Sequence, residues 1–154
     1  MQLSRTSHFS TVTLAQAKAE LASLSYRSEN LDGNIHLIRG QYENGRAYAM
    51  LTDFVAIGQI NGKAVAAAIL VESGGGSGEF RVLLVLSRKD GRWTRIALTV
   101  LGDRVLIKSL QIKKDRVSVT MVTQGPNDPL GGPTLRVSDV FSLKGNKLIR
   151  VSRR

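Results

Sequence analysis

Two short polar stretches hold the residue types that do chemistry in this chain, Asp103-Arg104 and the run from Gln124 to Asn127-Asp128. Set on one rim of a sheet, Asp103, Arg104, Gln124, Asn127 and Asp128 would make a small polar ligand site, because loops on a rigid scaffold commonly carry function. Each also has a plain local role: Asp103-Arg104 as an ion pair or turn brace, and Asp128 as an aspartate turn stiffened by Pro129. Asp103 or Asp128 would be the acid of a hydrolase-like enzyme, but a general acid or base needs a positioned partner and the sequence supplies none. No catalytic set is therefore expected. His8 and His36 are the only histidines, and the chain has no cysteine, so no metal-ligand spacing arises and no metal is expected. No cofactor is expected either. Gly74-Gly75-Gly76-Ser77-Gly78 has the glycines of a phosphate cradle, but such cradles lead from a strand into a helix, and here the apolar run Phe80 to Leu86 follows.

Charge points elsewhere. The formal net charge is +10; residues 1–60 hold five basic and five acidic residues, whereas residues 61–154 hold seventeen and seven. A field of this sign raises encounter rates with anionic partners. Lys108, Lys113, Lys114 and Arg116 surround a turn at Lys114-Asp115 and are the anion-binding candidates, with Lys144, Lys147, Arg150, Arg153 and Arg154 on a final hairpin and tail. Lysines at strand ends also deter edge-to-edge association, which is the competing explanation. Nucleic acid is disfavoured as the ligand, since single-strand binders interleave aromatics with cations and only 5% of this chain is aromatic.

The elements that must position these residues are mostly strands. Thr13-Leu14-Ala15-Gln16 reads as a capping box opening a helix of about three turns, with Leu14, Ala17, Leu21 and Leu24 as its apolar stripe. Residues 1–12 are expected to be an arm and 13–154 a single α+β domain. A polar loop is expected from Ser28 to Asn34. From Ile35 onward short β-rich runs alternate with turn residues, and Asn44-Gly45, Asn61-Gly62, Asp90-Gly91 and Gly145-Asn146 supply the positive φ angles of tight hairpins. The organising hairpins run from Phe54 to Leu86. Ala64 to Val71 is apolar on both faces, as a central strand covered on both sides should be. Between Arg116 and Thr123, Val117, Val119 and Met121 alternate with Ser118 and Thr120, so that strand has one wet face. Ten candidate strands exceed what one flat sheet holds comfortably. The expected fold is α+β: one amino-terminal helix on a strongly twisted, mostly antiparallel sheet, curled into a barrel-like or sandwich form.

The stretches Leu101-Gly102-Asp103-Arg104-Val105 and Met121 to Pro129, with Tyr26-Arg27-Ser28 and the glycine loop ending in Glu79-Phe80, resemble a family of uncharacterised bacterial exported and lipoprotein-type β-rich domains. Its members carry a G-D-L-N-G-D-G loop, a G-D-R-V strand start and a G-P-x-D-P-x-C-C-P-T turn. The resemblance covers most of residues 20–145 and implies an exported β-rich domain, periplasmic or extracellular, with the cytoplasm as the alternative; it brings no activity with it. This chain departs from the pattern twice. Gly58-Gln59-Ile60-Asn61-Gly62-Lys63 stands in place of the acidic loop, and Lys63 opposes the charge neutralisation that a hard cation requires. Gly131-Gly132 stands in place of the cysteine pair, so prolines and hydrogen bonds must hold that loop.

Met1 to Thr13 is neither a signal peptide nor an anchor, and an export signal would have to lie upstream. No run reaches the roughly 20 apolar residues of a membrane-spanning helix. The function expected is that of a non-catalytic exported binding or interaction domain, as part of a cell-surface assembly, with a protein or anionic partner. The alternatives are a binder of anionic polymer, nucleic acid or acidic glycan, through a basic patch, and lastly a hydrolase using carboxylate chemistry.

Overall fold

The computed structural model describes residues 12–129 and 132–154. The one helix among the described residues, α1 (Leu14–Leu21), starts where Thr13 Oγ1 accepts the backbone N–H of Gln16 at 3.0 Å. The reciprocal half of the capping box is replaced: the Gln16 amide donates forward to Glu20 at 3.4 Å. The helix is also a turn shorter than its apolar stripe suggests, since Leu24 is buried but lies beyond the helix. Eight residues are too few for an isolated helix, so α1 depends on the face that buries Ala17 and Leu21.

Eleven strands follow: β1 (Ser25–Ser28), β2 (Gly33–His36), β3 (Gln41–Asn44), β4 (Ala47–Ile60), β5 (Lys63–Ser73), β6 (Phe80–Lys89), β7 (Arg92–Asp103), β8 (Leu106–Lys113), β9 (Arg116–Thr123), β10 (Leu135–Lys144) and β11 (Lys147–Arg153). β9 has the expected bounds. β1 occupies sequence expected to be partly loop, and it pairs antiparallel with β2, Tyr26 opposite Ile35. The larger strands form two antiparallel sheets, one ordered β3-β4-β5-β6-β7 and the other β11-β10-β9-β8. Face to face they make a sandwich, and α1 with the β1–β2 hairpin adds a third layer on the outer face of the five-stranded sheet.

The period-2 geometry of β5 explains why it is apolar throughout. Ala66, Ala68 and Leu70 point to the core under α1 and the hairpin, whereas Val65, Ala67 and Ile69 point between the sheets. β6 divides likewise, with Leu84 and Leu86 outward and Leu83 and Val85 inward. Val117, Val119 and Met121 of β9 close the inter-sheet core from the other side.

Neither sheet closes on itself, so the barrel-like alternative does not hold and the sandwich does. After β7 the chain turns a corner, Gly102 at φ 143° and Arg104 at φ 53°, and begins β8 in the second sheet instead of pairing with β3. A Cβ at Gly102 would sit 2.9 Å from Val105 Cγ2, so this corner needs glycine for space as well as conformation. The sheets meet closely where β4 crosses β8: a Cβ at Gly58 would lie 2.8 Å from Ile112 Cγ2. Among the described residues, no helix is long and apolar enough to cross a membrane.

Candidate functional site

All five polar candidates fall at the end of the sandwich where the chain crosses between sheets, but in two separate braces. Asp103 Oδ1 accepts the Glu79 backbone N–H at 2.8 Å and Oδ2 accepts from the Arg104 guanidinium at 3.2 Å. Arg104 also donates to the Ser77 carbonyl through its guanidinium and to the Glu79 carbonyl through its backbone N–H, 2.7 Å. Together they fasten the glycine loop that joins β5 to β6. Glu79 takes the Tyr48 hydroxyl and pairs with Arg81 at 3.3 Å; the tyrosine bond is the main cause that holds its carboxyl below the usual range and pushes the Tyr48 phenol up.

The second brace is centred on Asp128. Its carboxylate accepts the backbone N–H groups of Gly125 (2.7 Å) and Thr134 (2.8 Å) and the Thr134 hydroxyl (2.6 Å), and that hydroxyl is the main reason its pKa is lowered. The Gln124 amide donates to the Asp128 and Pro129 carbonyls at 2.7 and 3.0 Å. Asn127 lies exposed in the turn between. Hydrogen bonds thus tie residues 124–129 to Thr134. Gly131 and His8 lie outside the described residues. His36 lies on the exposed face of β2, its Nδ1 2.7 Å from Ser25 Oγ.

Sequence reading missed a third polar cluster. Glu72 on β5 is fully buried and accepts from the Tyr26 hydroxyl, from Ser28 Oγ at 2.9 Å and from the Asn30 amide at 2.9 Å. Burial, then the bond to Glu72, drives the Tyr26 phenol far above its ordinary pKa. The three donors come from β1 and the turn after it, so Glu72 binds the hairpin to the sheet. One sequence signal was available: an acid directly after the apolar run Val65 to Val71.

The opposite end is built differently. The register places the turns of four hairpins together. Ile60 opposite Lys63 and Lys89 opposite Arg92 bring the 61–62 and 90–91 turns to one end of the five-stranded sheet. Arg116 opposite Ser142 brings the 114–115 and 145–146 turns to one end of the other. The Asn61 backbone N–H donates to Asp115 Oδ1 at 3.0 Å, so both ends are the same end. Three of these hairpins close on like-charged cross-strand pairs: Lys89 with Arg92, Lys113 with Arg116, and Lys144 with Lys147. Among the described residues these six cations, with Lys63 and Lys114, form no ion pair, whereas six arginines elsewhere do: 81, 88, 95, 104, 150 and 153.

Lys113, Lys114 and Arg116 are therefore brought together, with Lys144 and Lys147 beside them. Lys108 is not: it is the extra residue at a β-bulge in β8, five positions from the end of the strand, roughly 16 Å away at strand rise. The uncovered face of the four-stranded sheet continues the cationic end. Arg116, Ser118 and Thr120 of β9 share it with Ser138, Val140 and Ser142 of β10. A depression of about 510 Å³ lies there, lined by Lys113, Lys114, Arg116, Ser118 and Val140. The only carboxylate within the four strands, Asp139, is buried on the opposite face and held by Arg153 at 2.7 and 2.8 Å. The class these features define is a helix-capped antiparallel β-sandwich with one cationic end. No protein-family model, curated protein or solved structure matches the chain.

Proposed function

We propose that this protein is a non-catalytic binding domain, exported to the periplasm or cell surface, that holds an anionic partner at the cationic end of the sandwich. The observation that carries this reading is the set of three hairpins that close on like-charged pairs. Like charges directly opposite destabilise a sheet, so folding does not account for them, and a bound anion offsets the repulsion. Deterring edge-to-edge association accounts for Arg92, Lys113 and Lys147 on the edge strands β7, β8 and β11, but not for Lys89, Arg116 and Lys144 on the interior strands β6, β9 and β10. Asp103 and Asp128, on which a hydrolase would rely, serve as acceptors for backbone N–H groups instead. Export rests on the resemblance of the Gly102 to Val105 and Gly125 to Pro129 stretches; recovery of the native protein only from the cytoplasmic fraction would remove that part.

Heparin chromatography tests the binding. The wild type is retained with steep salt dependence, because each cation that contacts a polyanion releases counterions. Lys113→Gln/Lys114→Gln/Arg116→Gln elutes at lower salt, with a shallower salt slope and a melting temperature no lower than that of the wild type, since the repulsion between Lys113 and Arg116 is removed. Equal retention of variant and wild type at low salt, with self-association of the variant, would give the charges to solubility instead.

A further inference from the structure

We infer that the partner is a flexible acidic polysaccharide, sulfated or uronate-bearing, that runs from the open face of the four-stranded sheet over the end of the sandwich onto the tips of the five-stranded sheet. This rests on the cationic end being a binding surface and names what that surface takes.

The cations lie on two sheets. Lys113, Lys114, Arg116, Lys144 and Lys147 belong to one, and Lys63, Lys89 and Arg92 to the other. Facing sheets stand roughly 10 Å apart, and the Asn61–Asp115 hydrogen bond fixes their tips together. A ligand that meets both groups must bend around the end of the molecule. Duplex nucleic acid is stiff over roughly 150 base pairs, so it can lie across the tips but does not turn from them down onto the open face. Single-stranded nucleic acid bends, but it binds through bases stacked on aromatic rings. The four hairpin tips present none. Trp93, the aromatic nearest a tip among the described residues, is buried, with its indole N–H donated to Glu20 at 2.8 Å. A chain without bases remains.

The neighbours of the cations point to sugar. Ser118 and Ser142 flank Arg116 on the open face, and the Thr120 and Ser138 hydroxyls lie 3.0 Å apart in the next row. Hydroxyls both donate and accept, which matches the hydroxyls of a glycan; an inorganic polyphosphate offers acceptors alone and would need only the cations.

The test compares the wild type with two variants of the full chain, Lys63→Gln/Lys89→Gln/Arg92→Gln and Lys113→Gln/Lys114→Gln/Arg116→Gln. Probes are a heparin dodecasaccharide, a 20-base-pair DNA duplex and a polyphosphate of matched charge, measured by calorimetry over a salt series. All six positions are exposed, so both variants keep the fold. The dodecasaccharide is expected to bind the wild type most tightly, and each triple substitution to weaken it at least tenfold and to lower the salt slope by about two. If the Lys63/Lys89/Arg92 variant binds as the wild type does while the other variant is impaired, the wrapped path is wrong and the cationic-end reading stands. If neither variant is impaired, both fall. Tighter binding of the duplex or the polyphosphate overturns the assignment to a polysaccharide.

Discussion

At the crossing end of the sandwich, Glu79, Asp103 and Asp128 accept from backbone N–H groups, hydroxyls and arginines, whereas at the other end Lys89, Lys113 and Lys144 face further cations across their hairpins. Both ends are turns between antiparallel strands, so topology does not account for the contrast. The crossing end contains loops longer than two residues and a change of sheet, and its backbone N–H groups need acceptors that side chains provide. The other end consists of two-residue turns, three with both residues at positive φ and the fourth with a leading glycine there, and among their backbone groups only the Asn61 N–H takes a side-chain acceptor, Asp115. Its side chains are therefore free for another use. Polar residues in a loop are evidence of a binding site only after the loop's own hydrogen bonds have been satisfied.

The contrast can be broken from the braced side first. Replacing Glu72 should have the largest effect, since Glu72→Ala opens a cavity and leaves two buried donors, Tyr26 and Ser28, without an acceptor; the expected loss is about 3–5 kcal/mol. Thermal denaturation should show a fall of about 10 °C. A fall of only a degree or two would mean that the hairpin is held by its apolar contacts alone.

Acid titration gives a smaller effect and probes the border between the two ends. Arg88 stands one residue from unpaired Lys89 yet donates twice to Glu20, at 2.8 Å each, and Trp93 adds a third donor. The Arg88 hydrogen bond is the main cause that brings Glu20 from its ordinary 4.5 to about 2. A carboxylate lowered by folding stabilises the fold above its unfolded pKa, and that contribution disappears as pH falls through the folded value. The melting temperature of the wild type should thus lose a contribution between pH 4.5 and 2 that Glu20→Gln lacks. Parallel curves for the two proteins would show that the ion pair does not anchor α1.

The smallest effect is a gain. Lys144→Glu turns a repulsive cross-strand pair with Lys147 into an attractive one, for about 0.2–1 kcal/mol of added stability, and should weaken heparin retention at the same time. Loss of stability would show that the free end is arranged for folding after all.

Much of this fold was legible from local signals. Asn61-Gly62 and Asp90-Gly91 marked tight hairpins, and all four residues have positive φ. The two-faced apolar run of β5 marked a strand with cover on both sides. What remained hidden depended on contacts distant in sequence. β1 looked partly like loop because its buried residues include Ser28, which is stable there only beside Glu72, 44 residues on. Counting strands could not separate a barrel from a sandwich, since the difference lies in where β8 goes after the Gly102 corner. The site was half visible for the same reason. Lys113, Lys114 and Arg116 are neighbours in sequence, but only the pairing of β5 with β6 and the Asn61–Asp115 bond bring Lys63, Lys89 and Arg92 to the same end.

The attachment of β1 and β2 through Glu72 also sets how the molecule opens. A two-stranded hairpin is marginal by itself in water, and this one is joined to the five-stranded sheet by Tyr26, Ser28 and Asn30 on the acid and by Arg95, which donates to the Arg27 carbonyl at 2.8 Å. Once those contacts part, the hairpin has no reason to keep its own pairing, while the inter-sheet core beneath is untouched. Residues 25–36 are thus expected to unfold and refold as a unit at a free energy below that of the entire protein, with amides that exchange hydrogen with solvent together and ahead of those of β5 and β6.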